Sequence, residues 1–247
     1  MSILVGIDGT SADLSPGRSR DKRYDLTFVN SFVRRICTGF PLNKRYIRGP
    51  VALGGGLMNG IVEGQNFILS KRRATVNEPI LLTGYSRGAA GVVVIATRLQ
   101  RQNIDVRAML LFDCVDRHAD IDAELIPSNV GNVLHVMRAP ESGSRGSFGN
   151  SATQHHPSTR YREAIFYCTH GGMGGVPWTV PVVQSPGQLT LGGRIPPRQG
   201  PAIGRRNDFI VESFPDGKTN VTYAQDAVGS SRVWGYVGSF IGEHGFQ

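Results

Sequence analysis

Cysteine is scarce in this sequence. Three occur in 247 residues, Cys37, Cys114 and Cys168. Their number is odd and none stand in C-x-x-C spacing, which argues against a disulfide framework or a zinc site and fits folding in a reducing compartment. Long apolar runs are lacking too, so no membrane-spanning helix is expected. The chain enters Ile3-Leu4-Val5-Gly6-Ile7 without a basic stretch before it. No signal peptide is therefore expected, and the chain reads as cytoplasmic as synthesised. Aromatics make up only 8% and are not interleaved with the basic residues, so no nucleic-acid-binding module is recognisable. Acidic residues are outnumbered, 19 against 27 Lys and Arg, for a formal net charge of +8. This basicity is dispersed, with local runs only at Lys71-Arg72-Arg73 and Arg205-Arg206. It suits a solvated face first, and a transient contact with an anionic membrane surface second.

Glycine is plentiful, 32 residues beside 14 prolines, which marks a chain with many loops. The length suits one α/β domain over residues 1–247. Strands are expected at 3–7, 45–48, 80–83, 106–112, 132–137 and 164–169, and helices at 26–37, 57–73 and 89–96. Residues 8–25 read as a polar segment without an element. Strands alternating with helices predict a mostly parallel central sheet covered on both faces. Residues 171–206, rich in Gly, Pro, Val and Arg, read as an irregular, lid-like excursion. Beyond them, 209–214 and 221–223 flank the turn signature Pro215-Asp216-Gly217-Lys218, and a closing helix is expected around 228–241.

Chemistry concentrates at Gly84-Tyr85-Ser86-Arg87-Gly88. An apolar strand precedes it and a small-residue helix follows, the context in which G-x-S-x-G forms a nucleophile elbow. A serine nucleophile needs a base, and the base an orienting carboxylate. Asp113 and His170 each close a predicted strand and follow Ser86 in the order acid, then histidine. Asp116 is the alternative acid, one short turn on. Among the six histidines, His135 lies within a strand and reads as a satisfied core residue, while His118, His155, His156 and His244 lack a strand-end context. The oxyanion hole is expected from the backbone N–H of Arg87 together with Gly9 or Thr10, although Asp8-Gly9-Thr10 also reads as an ordinary Asx turn. Tyr85 and Trp178 are candidates for substrate binding. Trp178, in an apolar stretch after His170, suits either an acyl groove or membrane interface, or plain core packing. No cofactor and no metal are expected.

Several of these segments together resemble the DUF2235 α/β-hydrolases, a group that includes type VI secretion phospholipase effectors. They are Asp8-Gly9-Thr10, the glycine-rich residues 46–56, Gly84-Tyr85-Ser86-Arg87-Gly88-Ala89, Phe112-Asp113-Cys114-Val115 and His170-Gly171-Gly172-Met173-Gly174-Gly175. The resemblance covers roughly residues 3–175. It implies an α/β-hydrolase-like fold, Ser86 as nucleophile, Asp113 as acid and His170 as base. It also implies a lipid or phospholipid substrate, delivery by type VI secretion, and a secretion or immunity partner. Gly172 stands where that family carries an aspartate. Two other readings compete: a non-catalytic binding module on the same scaffold, and a kinase-like phosphate site at Gly6-Ile7-Asp8-Gly9-Thr10.

Overall fold

The computed structural model describes residues 2–11, 18–73, 78–179, 209–212 and 216–247. In chain order the elements are β1 (Ile3–Ile7), α1 (Arg18–Thr27), α2 (Phe32–Gly39), β2 (Lys44–Ile47), α3 (Leu57–Arg72), β3 (Ile80–Tyr85), α4 (Arg87–Gln100), β4 (Val106–Phe112), β5 (Leu125–Ile126) and β6 (Val130–Arg138). There follow two short 3₁₀ turns (Pro140–Ser142 and Gly146–Phe148), β7 (Gln154–His155), β8 (Arg160–Phe166), α5 (His170–Met173), β9 (Phe209–Val211), β10 (Lys218–Thr222) and α6 (Tyr223–His244). Six strands form one parallel sheet in the order β2-β1-β3-β4-β6-β8. The order reverses at β1 and β3, and crevices in such sheets open at the carboxyl ends beside that reversal.

The inner strands are buried on both faces, which explains their continuous apolar runs. Side chains alternate between two cores. Ile3, Val5 and Ile7 pack with Leu57 and Ile61 of α3 and Val92 and Ile95 of α4. Leu4 packs on the opposite face with Val33 and Ile36 of α2 and Val233 and Val237 of α6. At the edge, β8 carries the charged Arg160, Arg162 and Glu163, all exposed, as suits an edge strand.

The structure redraws four elements. Residues expected to be polar and without structure include α1, a charged helix whose Tyr24 is buried. The single helix expected over 26–37 is interrupted, because Ser31 acts as the N-cap of α2, its side chain accepting the Arg34 N–H. Serine favours that role over a helix interior. The last strand of the sheet lies at Arg160–Phe166, earlier than expected, so His170 opens the one-turn helix α5 rather than closing a strand. The closing helix is longer than expected. It begins at Tyr223 with a Thr222–Gln225 capping box. The excursion expected over 171–206 lies largely outside the described residues, as do Ser213, Phe214 and Pro215 of the expected hairpin; β9 and β10 pair antiparallel.

Candidate active site

Ser86 sits at the junction of β3 and α4 with φ 57° and ψ −130°. This backbone region is sparsely populated by any residue but glycine and costs on the order of 1–3 kcal/mol. Its neighbours explain why the junction folds so tightly. A Cβ on Gly84 would lie 2.6 Å from Ala89 Cα, and one on Gly88 would lie 2.3 Å from the carbonyl oxygens of Ile7 and Asp8. Only glycine admits these approaches, and the second of them seats the elbow against the end of β1. The Ser86 N–H donates to Phe112 O at 3.0 Å, tying the elbow to the end of β4.

Asp113, directly after β4, also holds a positive φ, 46°. Its carboxylate is fully buried. His170 Nδ1 lies 2.6 Å from Asp113 Oδ2, and His170 Nε2 lies 2.9 Å from Ser86 Oγ. The three side chains named from the sequence are thus brought together in one hydrogen-bonded line. Burial raises the Asp113 carboxyl, but the charge of Arg138 and the bonds from His170 outweigh it and hold the group below the ordinary carboxylate value. Burial pushes His170 below the ordinary histidine value, against the opposing pull of Asp113. Both directions describe a neutral imidazole beside an ionised carboxylate. In that state Nδ1–H donates to Asp113 and Nε2 accepts from the serine hydroxyl.

The sheet order, the elbow between its third strand and the following helix, and this line of side chains decide the architecture. The fold is α/β-hydrolase-like. No family model and no curated protein matches the sequence. Among solved structures, the surfactin thioesterase domain SrfTE is similar at 12% identity and a TM-score of 0.40, over 70% of this chain and 84% of that one. The NocB thioesterase domain is similar at 12% and 0.41, over 70% and 87%. A cutinase-like protein from Cryptococcus sp. is similar at 18% and 0.30, over 51% of this chain and 59% of that one, so the match spans less than two thirds of that protein.

The remaining sequence candidates fall in different places. Asp116 does not reach His170: its carboxylate accepts the Ala123 N–H at 2.8 Å and the His118 N–H at 3.4 Å, organising the turn after β4. The Gly9 N–H is committed to Asp8 Oδ1 at 2.8 Å, which removes Gly9 as an oxyanion donor. The N–H groups of Thr10 and Arg87 meet no protein acceptor among the described residues. Asp8 itself is buried and engaged by Ser31 Oγ and Tyr46 Oη, so the loop turns no carboxylate outward toward a phosphate site. Tyr85 is a support rather than a substrate contact. It is buried, and its hydroxyl donates to His170 O at 2.8 Å. Trp178 is buried as well, in a small cluster with Ile210 and Val221, as its core-packing reading describes. His135 is a satisfied core residue, with Nε2 accepting the Cys114 N–H at 3.2 Å and Nδ1 at 3.0 Å from Tyr161 Oη.

Two further residues complete the surroundings. Arg138 ends β6 and donates to Asp113 Oδ2 at 2.7 Å. Asp226, in the first turn of α6, accepts the N–H groups of Thr169 at 2.7 Å and Trp178 at 2.8 Å and the Thr169 hydroxyl at 3.0 Å, holding both sides of the His170 turn. In the sequence their only signal is a charged residue bordering an apolar run. Among the described residues no cluster of three or more His, Cys, Asp or Glu is arranged to hold a metal ion, and no helix is long and apolar enough to cross a membrane.

Proposed function

We propose that this chain is a serine hydrolase that cleaves carboxylic esters through an acyl-enzyme. The observation that carries the reading is the Ser86–His170–Asp113 line, 2.9 and 2.6 Å between partners, set on a strained elbow. His170 takes the Ser86 proton as Oγ attacks the ester carbonyl, and Asp113 stabilises the imidazolium that forms. The N–H groups of Arg87, at the start of α4, and Thr10 receive the oxyanion, and the positive end of the helix dipole adds to them. His170 then returns the proton to the leaving alcohol. Water repeats the sequence on the acyl-enzyme.

The finer reading, a lipase or phospholipase related to the DUF2235 effectors, delivered by type VI secretion and matched by an immunity partner, is supported by the sequence motifs and their order. A fluorophosphonate probe tests the chemistry: Ser86 should be labelled, and Ser86→Ala should abolish both labelling and ester turnover. Folded protein that is never labelled would overturn the hydrolase reading. A panel of p-nitrophenyl esters of rising chain length, run beside phospholipid vesicles, tests the substrate class. Turnover confined to short soluble esters would remove the lipase reading while keeping the hydrolase.

A further inference from the structure

Arg138 is 6% exposed and carries five N–H donors, and every one has an acceptor. Nε donates to Ser144 O at 2.7 Å, Nη1 to Asp113 Oδ2 at 2.7 Å and to Asn150 Oδ1 at 3.1 Å, and Nη2 to Arg145 O at 2.8 Å and to Gly149 O at 3.0 Å. The Arg138 backbone N–H meets the other carboxylate oxygen, Asp113 Oδ1, at 3.3 Å. The guanidinium and the imidazole of His170 therefore share one carboxylate oxygen. The same arginine also ties down the loop 144–149. That loop supports His170 twice: Ser144 Oγ accepts the His170 N–H at 2.9 Å, and the Phe148 ring meets the imidazole edge-on at 5.7 Å.

We propose that Arg138 belongs with the Ser86–His170–Asp113 line as a positioning residue, anchoring Asp113 and the His170 support loop together and offsetting the charge that the Asp113 carboxylate presents to His170. This rests on the serine hydrolase reading for its consequence in catalysis, but the arrangement itself does not. A carboxylate alone at hydrogen-bond distance favours a charged imidazole. A buried cation on the same oxygen neutralises much of that pull and repels the imidazolium directly. Burial is the larger influence holding His170 below the ordinary histidine value, and Arg138 acts with it, so that the base stays unprotonated and able to accept from Ser86.

Other charged and titratable groups face this turn. Glu212, after β9, accepts from Ser144 Oγ at 3.0 Å and favours a proton on His170. Arg145 pairs with Glu212 at 3.6 Å and with Asp216 at 3.1 Å. Asp226 binds Thr169 from α6, Tyr85 donates to the His170 carbonyl from β3, and Arg117 stacks over Phe148. It is Arg138, and none of these, that pairs with the Asp113 carboxylate.

Titration of ¹⁵N-histidine-labelled protein followed by NMR decides the proposal. In the intact chain His170 should titrate below the ordinary histidine value despite its carboxylate partner. In Arg138→Gln it should rise by about one unit or more, whereas Arg138→Lys, which keeps the charge, should stay near the intact chain. A value above the ordinary histidine in the intact chain, or no rise in Arg138→Gln, would overturn it. If Arg138→Gln fails to fold, the intact chain and Arg138→Lys still give the answer, with a rise in Arg138→Lys of the size expected for Gln counting against it. The acid limb of fluorophosphonate labelling at Ser86 should move up with the NMR value. Intact protein that is never labelled would sink the hydrolase reading alone, leaving the titration to judge Arg138.

Discussion

Gly172 faces Asp226 so closely that a Cβ on the glycine would lie 2.4 Å from Asp226 Oδ1. The carboxylate from α6 therefore fills the space a side chain at residue 172 would need, and braces the turn that carries His170. Asp226→Ala leaves two buried N–H groups without their acceptor, at a cost of about 1–3 kcal/mol each. The expected result is a lowered urea midpoint and a several-fold slower labelling of Ser86. Gly172→Ala should be damaging alone, through the clash. The double variant should be little worse than Asp226→Ala, because removing the carboxylate frees the space. Additive losses in this double-mutant cycle would show that the two residues do not interact as described.

The two candidate acids separate by their partners. Asp113→Asn presents an amide where His170 Nδ1 donates, which favours the wrong tautomer; losses of about 10⁴-fold are known from that substitution in a serine triad. Asp116→Asn disturbs a turn whose carboxylate accepts the Ala123 and His118 N–H groups. Ester turnover should fall by at least about 10²-fold in Asp113→Asn, and Asp116→Asn should chiefly lower the melting temperature. The reverse ranking, measured on folded variants, would move the role to Asp116.

The positive φ at Ser86 gives a prediction about stability rather than rate. Alanine usually stabilises a chain relative to glycine by about 0.5–1 kcal/mol through unfolded-state entropy and propensity. At Ser86 the order should invert, because glycine alone relaxes the elbow, so Ser86→Gly should unfold at higher urea than Ser86→Ala by about 1 kcal/mol. Both variants lack the nucleophile and should be equally inert. An Ala variant as stable as the Gly variant would mean the elbow carries no strain.

The strands were legible where burial on both faces made them uninterrupted apolar runs: β1 and β4 are where the residues place them, to the residue. The grouping of Ser86, Asp113 and His170 was legible from their order, from the elbow motif and from the strand that ends before Asp113; the strand end placed just before His170 was not there, since β8 stops at Phe166. What stayed hidden came from long-range contact. Asp226 is 57 residues from Thr169, and Arg138 25 from Asp113, and nothing local in the chain says which buried acceptor a charged residue will meet. Between Gly9 and Thr10 the sequence alone did not choose, for a local reason. The Gly9 N–H is taken by the side chain of the preceding residue, a local bond that competes with any ligand for the same donor and differs from the Asx turn, whose donor would be Thr10. The break before α2 was missed because Ser31 lies amid an apolar pattern, and its capping role depends on which N–H it meets.

Asp8 carries the last prediction. It lies buried under the loop that presents Thr10, and accepts from the Gly9 N–H, Ser31 Oγ and Tyr46 Oη. Burial outweighs those bonds and pushes its carboxyl up to about 6, from 3.8. The sign follows from proton counting. Between pH ~4 and ~6 the folded chain holds a proton that the unfolded chain has released, so this group's contribution to stability is present below that window and lost as pH rises through it. A shift of about two units corresponds to roughly 3 kcal/mol. Asp8→Asn cannot ionise and should not lose it. Urea unfolding of both proteins from pH 4 to 8 should therefore show the variant gaining on the native chain by about that amount, most of it by pH 7. Because every other titrating group is common to both proteins, only the difference between them is read. Parallel curves across the range would show that Asp8 is ionised throughout and that its hydrogen bonds, not its burial, prevail.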